Sequence, residues 1–380
     1  MTTNLTNSTN KVPNVPPLRF PEFTGEWEKK QLQEECSFFS GGTPSSSNKE
    51  YYDGDIPFIR SGEIDAQHTE LFLTQKGYNN SSAKMVEIGD LLLALYGATS
   101  GEIAINKIHG AINQAILCIR SPYNNVFVKS IWKKHVLHIL QTYLQGGQGN
   151  LSADIVKKLS FYFPSNREQD KISEFVALVD QRIETQNKII EDLRLLILGV
   201  NKRLFYNYNS TEYVQLGEIA TITNGANDVQ DANLEYTDGL YPFYDRSETI
   251  KFLDTYFLDK EAIIYPGEGS EFFPRYHNGK FALHQRCYAI YDVREEYVVK
   301  YLYYYMQNLN NYFIRNAVGS TVSSLRLDTF KRVRIPILSK IEQTKICNVL
   351  DSLSNKLQIE QNCLSKYQSQ KQYLLQQMFI

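Results

Sequence analysis

Planar hydrogen-bonding side chains stand at near-equivalent places in the two halves of the chain. Asn113 and Gln114 lie in the segment Ile-Asn-Gln-Ala, and His284, Gln285 and Arg286 lie in the segment Leu-His-Gln-Arg. Arginine can form paired hydrogen bonds with guanine, and asparagine or glutamine with adenine. These residue types therefore suit hydrogen bonding with the edges of bases, in a protein that binds nucleic acid.

Other polar residues bracket predicted strands and extend this set. The candidates for base contacts are Thr43, Ser45, Arg60, Asn113 and Gln114 in the first half, and Arg246, Arg275, His284, Gln285 and Arg286 in the second. The candidates for phosphate contacts, which position a protein without specifying sequence, are the basic pairs Lys157, Lys158, Lys331 and Arg332. For each of these residues a surface or structural role is an equal alternative.

The composition is that of an ordinary globular protein with more than one domain. The chain has 380 residues, of which 42% are hydrophobic and 22% charged, and this length usually requires two or more hydrophobic cores. The formal net charge is -2, so phosphate binding would need a local basic patch. Five widely spaced cysteines indicate reduced thiols rather than a disulfide framework.

Motifs for catalysis, metal binding and export are missing. The sequence contains neither the Gly-x-x-x-x-Gly-Lys-Ser/Thr loop that binds nucleoside triphosphates nor a Gly-x-Gly-x-x-Gly fingerprint after a strand. Glu261 and Glu268 lack an evident basic partner for hydrolase chemistry. His135 and His138 fit a solvated helix face better than a zinc site. No apolar run approaches the roughly 18 residues that span a bilayer, and residues 1–16 do not resemble a secretion signal. We expect a cytoplasmic binding protein, neither enzyme nor metalloprotein.

A long internal repeat organises the chain. A shift of 174 residues places 167–172 (REQDKI) on 341–346 (IEQTKI), and the match extends outward, with Leu151 on Leu325 and Phe205 on Phe379. The period far exceeds the roughly 20 to 50 residues of stacked repeats. The sequence therefore predicts two copies of one design.

After each copy of the motif, apolar residues recur at alternating steps of four and three, which is typical of a coiled-coil seam. A polar residue occupies the same seam position in both copies, Gln186 and Glu360, and such a residue can fix the register of a helix pair. Two ordinary amphipathic helices buried in globular cores are the alternative. The predicted seam positions are Ile172, Val176, Val179, Ile183, Gln186, Ile190, Leu193, Ile197, Val200 and Leu204, and then Ile346, Leu350, Leu353, Leu357, Glu360, Leu364, Tyr367, Lys371, Leu374 and Met378.

Between these helices the chain is rich in short strand-like runs broken by Gly, Pro and Asn, with helices expected at 126–143 and 297–315. The predicted fold class is α+β, with a pseudo-twofold internal repeat. Its parts are an extended or disordered lead-in (1–16), a β-rich domain (17–164), a central helical spacer (165–206), a second β-rich domain (207–336) and a C-terminal helical spacer (337–380).

This organisation resembles the specificity subunit of type I restriction-modification systems. The resemblance covers nearly the whole chain from about Val15 and depends on four features: the lead-in 15–23 (VPPLRFPEF), the loop 40–45 (SGGTPS), the strand entry 88–92 (IGDLL) and the two Glu-Gln-x-x-Ile helix starts. The second half departs from the pattern, with 223–226 (TNGA) and 258–261 (LDKE) in place of the glycine-rich loop and the Gly-Asp-x-Leu entry.

The resemblance implies a non-catalytic reader of double-stranded DNA. Its two target-recognition domains would each bind one half of a split sequence, while the helices pair as an antiparallel coiled coil, set the spacing and dock two methyltransferase subunits. S-adenosylmethionine would belong to those subunits, and ATP and Mg to restriction subunits that act as motor and nuclease. No cofactor is expected in this chain.

Two other readings stay open. One is a coiled-coil scaffold whose β-rich domains bind proteins, which the near-neutral charge and the 26 tyrosines allow. It predicts no salt-dependent affinity for DNA, whereas phosphate contacts make affinity fall steeply with salt. The other is a complete enzyme, which predicts that the isolated chain binds S-adenosylmethionine or methylates bases.

Overall fold

The computed structural model describes residues 13–144, 150–207, 212–229, 232–319 and 321–380. Contacts divide the chain into two units, Met1–Gln186 with Cys363–Ile380, and Asn187–Asn362. Residues 1–12 of the expected lead-in lie outside the described residues. Each unit thus combines β-rich structure with a segment of both long helices.

The first unit holds three small sheets and the start of a long helix. Its sheets have the strand orders β1-β10, β2-β9-β6-β7 and β4-β3-β8-β5, and short 3-10 turns lie at Lys49–Tyr51, Ser61–Glu63 and Gly97–Thr99. The elements are β1 (Glu28–Gln31), α1 (Leu32–Glu35), β2 (Ser37–Ser40), β3 (Tyr52–Ile59), β4 (Phe72–Leu73), α2 (Gln75–Asn79), β5 (Lys84–Val86), β6 (Leu91–Ala94), β7 (Ile103–Ile105), β8 (Gly110–Ile112), β9 (Ile116–Arg120), α3 (Asn125–Leu144), α4 (Ala153–Lys158), β10 (Ser160–Phe163) and α5 (Asn166–Asn207).

Strand β6 shows why an uninterrupted apolar run forms a strand here. Leu91 and Leu93 face a cluster that contains Trp27 and Phe127, while Leu92 and Ala94 face another that contains Ile59 and Ile112. Successive side chains of a strand point to opposite faces. Both faces of β6 are therefore buried, which explains the lack of polar alternation.

The second unit repeats this design with one larger sheet, of order β12-β17-β15-β16-β13-β14, beside the pair β11-β18. A 3-10 turn lies at Gln307–Leu309. The elements are β11 (Tyr213–Gln215), α6 (Leu216–Ile219), β12 (Thr221–Asn224), β13 (Tyr241–Tyr244), β14 (Lys251–Leu253), β15 (Leu258–Pro266), β16 (Arg275–Leu283), β17 (Cys287–Tyr291), α7 (Val299–Met306), α8 (Asn310–Asn316), α9 (Leu327–Lys331), β18 (Arg334–Pro336) and α10 (Lys340–Met378).

One parallel strand pair in each unit reveals the repeat most clearly. Strand β3 runs parallel to β8, with Ile59 opposite Ile112, and β13 runs parallel to β16, with Tyr244 opposite Leu283. In both units the next strand along the chain then pairs antiparallel with a central strand. Strand β9 follows β8 and pairs with β6, and β17 follows β16 and pairs with β15. The predicted duplication is therefore present in the strand topology.

Segments of α5 and α10 pack antiparallel within each unit. In the first unit Asp180 forms an ion pair with Lys371, and the Arg182 guanidinium donates to the Tyr367 hydroxyl at 2.8 Å, so contacts move backward along α10 as they advance along α5. In the second unit Val200 and Leu204 of α5 pack against the apolar cluster that contains Ile346 and Leu350 of α10. All twenty predicted seam positions are buried or half-buried, which confirms the predicted coiled coil.

The repeated Glu-Gln pair has a structural explanation at its glutamine. The Gln169 carboxamide donates to the carbonyl of Pro164 at 3.1 Å, and that of Gln343 donates to the carbonyl of Leu338 at 2.9 Å. Each glutamine is buried and closes the turn from the preceding strand into the long helix. The motif occurs twice because the same turn is made twice.

The glutamates of the two copies differ. Glu168 is buried and accepts hydrogen bonds from the Arg19 guanidinium, both at 2.7 Å, and from the indole of Trp27 at 3.3 Å. Glu342 instead accepts from the backbone and hydroxyl of Ser339 at the start of α10, at 3.0 and 2.6 Å. One position is thus a buried ion pair and the other an exposed helix cap.

Candidate nucleic-acid interface

A glycine in each unit brings two loops into direct contact. A Cβ atom at Gly41 would lie 1.7 Å from the carbonyl oxygen of Ile112, and a Cβ at Gly225 would lie 2.1 Å from that of Leu283. Only glycine allows such a close backbone approach. Gln114 and Gln285 follow these carbonyls by two residues, so the structure places them in equivalent turns.

In the first unit the predicted readers Thr43 and Gln114 meet across this contact. The Thr43 hydroxyl donates to the Gln114 side-chain oxygen at 2.6 Å, and both side chains are exposed. The Asn113 side-chain oxygen accepts from the backbone N–H of Ala115 at 3.0 Å, so this residue also shapes the turn. The arrangement leaves the amide nitrogen of Gln114 facing solvent as a donor.

Arg60 and Ser45 have partners of their own. The Arg60 guanidinium contacts the carboxylates of Glu63 at 2.9 Å and Glu70 at 2.6 Å. Burial opposes ionisation of Glu63, but hydrogen bonds from Arg60 and from backbone N–H groups outweigh it and lower its pKa to about 2. A base contact from Arg60 would have to break these pairs, whereas the exposed Ser45 hydroxyl bonds to the hydroxyl of Ser47 at 2.8 Å.

In the second unit a cavity of about 470 Å³ gathers four of the five predicted readers, with acidic residues between them. The fifth, Arg275, donates to the backbone carbonyl of Ser247 in the cavity wall. The lining residues are Asp228, Val229, Asp245, Arg246, Ser247, Lys251, Glu268, His284, Gln285, Arg286 and Cys287.

Ion pairs cross this cavity. Nη1 of Arg286 lies 3.0 Å from both carboxylate oxygens of Glu268, so the expectation that Glu268 lacks a basic partner is wrong. Asp245 is buried and accepts from Lys251 at 2.6 Å and from Ser247 at 2.8 and 2.6 Å. Burial alone would raise the pKa of Asp245, but these donors outweigh it and the pKa lies below its usual value.

The imidazole of His284 is oriented by the turn that holds it. Its Nδ1 accepts from the backbone N–H of Arg286 at 3.2 Å, and its own backbone N–H donates to the carbonyl of Tyr244 at 2.9 Å. An accepting Nδ1 carries no proton, so the neutral ring carries its proton on Nε2. His284 therefore contributes a hydrogen-bond donor.

The four candidates for phosphate contacts lie at equivalent places. Lys157 and Lys158 end α4, while Lys331 ends α9 and Arg332 follows it. Lys157 lies 3.6 Å from the carboxylate of Asp154, and the other three are exposed. None of the four lines the cavity, and phosphate binding by them stays a prediction.

Sequence reasoning missed the acidic members of the cavity. Glu268 follows β15 and Asp245 follows β13, so their positions at strand ends were a usable signal. Their pairing with Arg286 and Lys251 was not predictable, because those two residues belong to other strands and turns. His135 also differs from its expected solvated helix face, since it is half-buried and its Nε2 lies 3.0 Å from the carbonyl of Ile380.

Within the described ranges, no three or more His, Cys, Asp or Glu side chains are grouped to hold a metal ion. No helix among those same residues is both long and apolar enough to cross a membrane.

The two β-rich units repeat one design. Each presents polar residues on a turn that is fixed by a glycine, and each packs on paired helices. These features define a protein with two recognition domains. The chain belongs to the type I restriction-modification specificity family. The family model described as "Type I restriction modification DNA specificity domain" matches residues 24–195 and 209–366, one match for each copy of the repeat.

Curated relatives carry the same designation. The chain is 31% identical over 155 residues to the type I restriction enzyme EcoDI specificity subunit of Escherichia coli, a match that covers 39% of this chain and 33% of that protein. It is 25% identical over 233 residues to the MjaIX specificity subunit of Methanocaldococcus jannaschii, covering 53% of each. These matches span between a third and about half of the relatives' own length.

Solved structures share the fold along almost the whole chain. The type I restriction-modification S subunit from M. genitalium superposes with a TM-score of 0.61 at 18% identity, covering 96% of this chain and 99% of that one. A chain from a structure of type I R-M complex assembly and conformational transition gives a TM-score of 0.57 at 16% identity, covering 94% and 98%. At these identities the likeness concerns the fold.

Proposed function

We propose that this chain is the sequence-specific DNA-recognition subunit of a type I restriction-modification complex, and that each β-rich unit binds one half of a bipartite target in double-stranded DNA. One observation carries the proposal. The same glycine-fixed turn occurs in both units but presents Asn113 and Gln114 in one and His284, Gln285 and Arg286 in the other. Because the two turns share one backbone conformation but present different side chains, they suit a target whose two half-sites differ in sequence.

The chemistry of the complex resides in its partners. Two methyltransferase subunits, which hold S-adenosylmethionine, dock on the paired helices, and restriction subunits supply ATP- and Mg-dependent translocation and cleavage. This chain binds no cofactor and acts in the cytoplasm. The helices also set the number of base pairs between the two half-sites. Membership in the specificity family and the antiparallel helix segments support these assignments.

Binding of DNA by the reconstituted complex tests the proposal. The chain and its methyltransferase subunits are mixed with duplexes of random sequence, bound DNA is sequenced, and affinity is measured from 50 to 200 mM salt. We expect a split motif, with affinity that falls steeply with salt because phosphate contacts release counterions.

The control is the methyltransferase subunits alone, which should select no motif. Failure of the complex to bind DNA at any salt concentration would favour a protein-binding scaffold. Methylation by the isolated chain would favour a complete enzyme.

A further inference from the structure

The geometry points to a guanine-reading site in the cavity of the second unit: Arg286 reads the base and Glu268 is the positioning residue that holds Arg286. This inference rests on the proposed function and deepens it, since it names the base and the two side chains. It assigns the second half-site at least one guanine, contacted through the O6 and N7 acceptors of its major-groove edge.

Each acidic side chain of the cavity already accepts a hydrogen bond from the protein. The Glu268 carboxylate receives Arg286 at 3.0 Å, the Asp245 carboxylate receives Lys251 at 2.6 Å, and Asp228 accepts from the backbone N–H of Val229 at 2.6 Å. Each carboxylate thus has a donor from the protein. A ligand that brought further donors would compete with these bonds.

The donors of the cavity are in excess. Arg246 is exposed and makes no hydrogen bond or ion pair with any other residue that the structure describes. The Nε2 proton of His284 adds a second donor. The complementary ligand therefore presents closely spaced acceptors, not donors.

Arg286 has the position and the free edge to read such a ligand. Its side chain is 64% exposed, whereas that of Glu268 is 19% exposed, so the pair has a solvent side and a protein side. Glu268 occupies Nη1 only, which leaves Nη2 and Nε as donors in a fixed planar fork. Guanine offers two adjacent major-groove acceptors, while adenine and cytosine place a donor amino group there and thymine a methyl group beside its single acceptor.

The backbone fixes Glu268 beside Arg286. A Cβ at Gly267 would lie 2.1 Å from the carbonyl oxygen of Arg286, so glycine permits the two turns to meet. The same turn is held by the backbone bonds from Leu325 to Gly267 at 2.7 Å and from Gly269 to Ser323 at 3.0 Å. Because its backbone is anchored on both sides, Glu268 restricts the rotamers of Arg286 and lowers the entropy lost on binding.

A DNA phosphate presents the same pair of acceptors, and the experiment separates the two sources. The reconstituted complex is titrated with duplexes carrying its selected motif, in which each guanine of the second half-site is replaced singly by 7-deazaguanine, which lacks N7. We expect one position at which affinity falls, by less than the roughly 5- to 150-fold of a whole bidentate pair, because O6 stays in place as an acceptor. In Arg286→Ala that position should lose its base preference, and 7-deazaguanine should have no further effect.

Glu268→Gln should weaken the preference at the same position, and Glu268→Asp should preserve more of it than Glu268→Gln. The matched control is Arg294→Ala, an exposed arginine beyond the opposite end of β17, which should leave the motif unchanged. Retained base preference at the other positions of the second half-site reports that the second unit of each variant is folded.

Two results would overturn the inference. One is a uniform loss of affinity for all sequences in Arg286→Ala, with a salt slope reduced by about one, which identifies a phosphate contact. The other is an unchanged second half-site in Arg286→Ala. Both presuppose that the unmodified complex selects a split motif, so they are distinct from failure of the proposed function, in which no motif is selected at all.

Discussion

Removal of Arg19 should destabilise the first unit strongly, because it leaves a carboxylate buried without its ion-pair partner. The Glu168 side chain is 2% exposed, and Arg19→Ala removes two 2.7 Å hydrogen bonds while retaining only the 3.3 Å bond from Trp27. Breaking one side of a buried ion pair costs about 3–5 kcal/mol. With about 2–4 °C per kcal/mol for a unit of this size, the midpoint of thermal unfolding should fall by roughly 6–20 °C.

The second copy of the motif supplies the control. The Glu342 carboxylate accepts from Ser339 at an exposed helix start, where solvent screens its charge, so Glu342→Ala should cost far less than Arg19→Ala. Calorimetry measures both variants, with hydrogen exchange in β1 and β10 assigning the transition to the first unit. Replacing Arg19 and Glu168 together by Met should restore most of the loss, since no charge stays buried. Equal effects of Arg19→Ala and Glu342→Ala, or a double variant as unstable as Arg19→Ala, would refute the reasoning.

Three further predictions concern the helices and the first-unit turn. Ile183→Asp combined with Leu357→Asp buries an unpaired charge in the seam of each unit. This double variant should abolish recognition of the split target in a methylation assay. Ser365→Asp, at an exposed position outside the seam, should leave recognition intact. Glu63 has a pKa of about 2 in the folded protein, so it contributes stability above about pH 4.5 that is lost as pH falls towards 2. Urea unfolding midpoints between pH 2.5 and 6 should show this loss of stability in acid. Arg60→Ala should make the loss smaller. Insertion of one heptad at paired positions of α5 and α10 adds about 10 Å and should lengthen the spacer in the selected motif by about three base pairs; an unchanged spacer would show that the helices do not set it.

The long helices were predictable because the spacing of apolar residues that specifies them lies within a continuous segment of the sequence. A seam with alternating steps of four and three specifies a helix face from neighbouring residues alone, and Gln186 and Ile190 are buried as that rhythm requires. The predicted helix at 126–143 corresponds to α3, while that at 297–315 is divided into α7, a 3-10 turn and α8. The half-buried stretch Gln307–Leu309 before α8 carries no strong local signal for that division.

The site was predictable in residue types but not in partners. Arg286 and Gln114 were identified because they lie at strand ends, which is a property of the local sequence. Their contacts with Glu268 and Thr43 join residues 18 and 71 positions apart. The antiparallel pairs β2 with β9 and β15 with β17 bring such distant segments together, and no local periodicity encodes that pairing.

Methylome sequencing of a host with and without this chain, in the presence of its methyltransferase subunits, tests the account most directly. We expect one split motif, methylated at adenine, that appears only when the chain is expressed. Its two halves should differ in sequence, because the equivalent turns of the two units carry different side chains. An identical methylome in both strains, or a single continuous motif, would contradict the claim that two duplicated units each read their own half of the target.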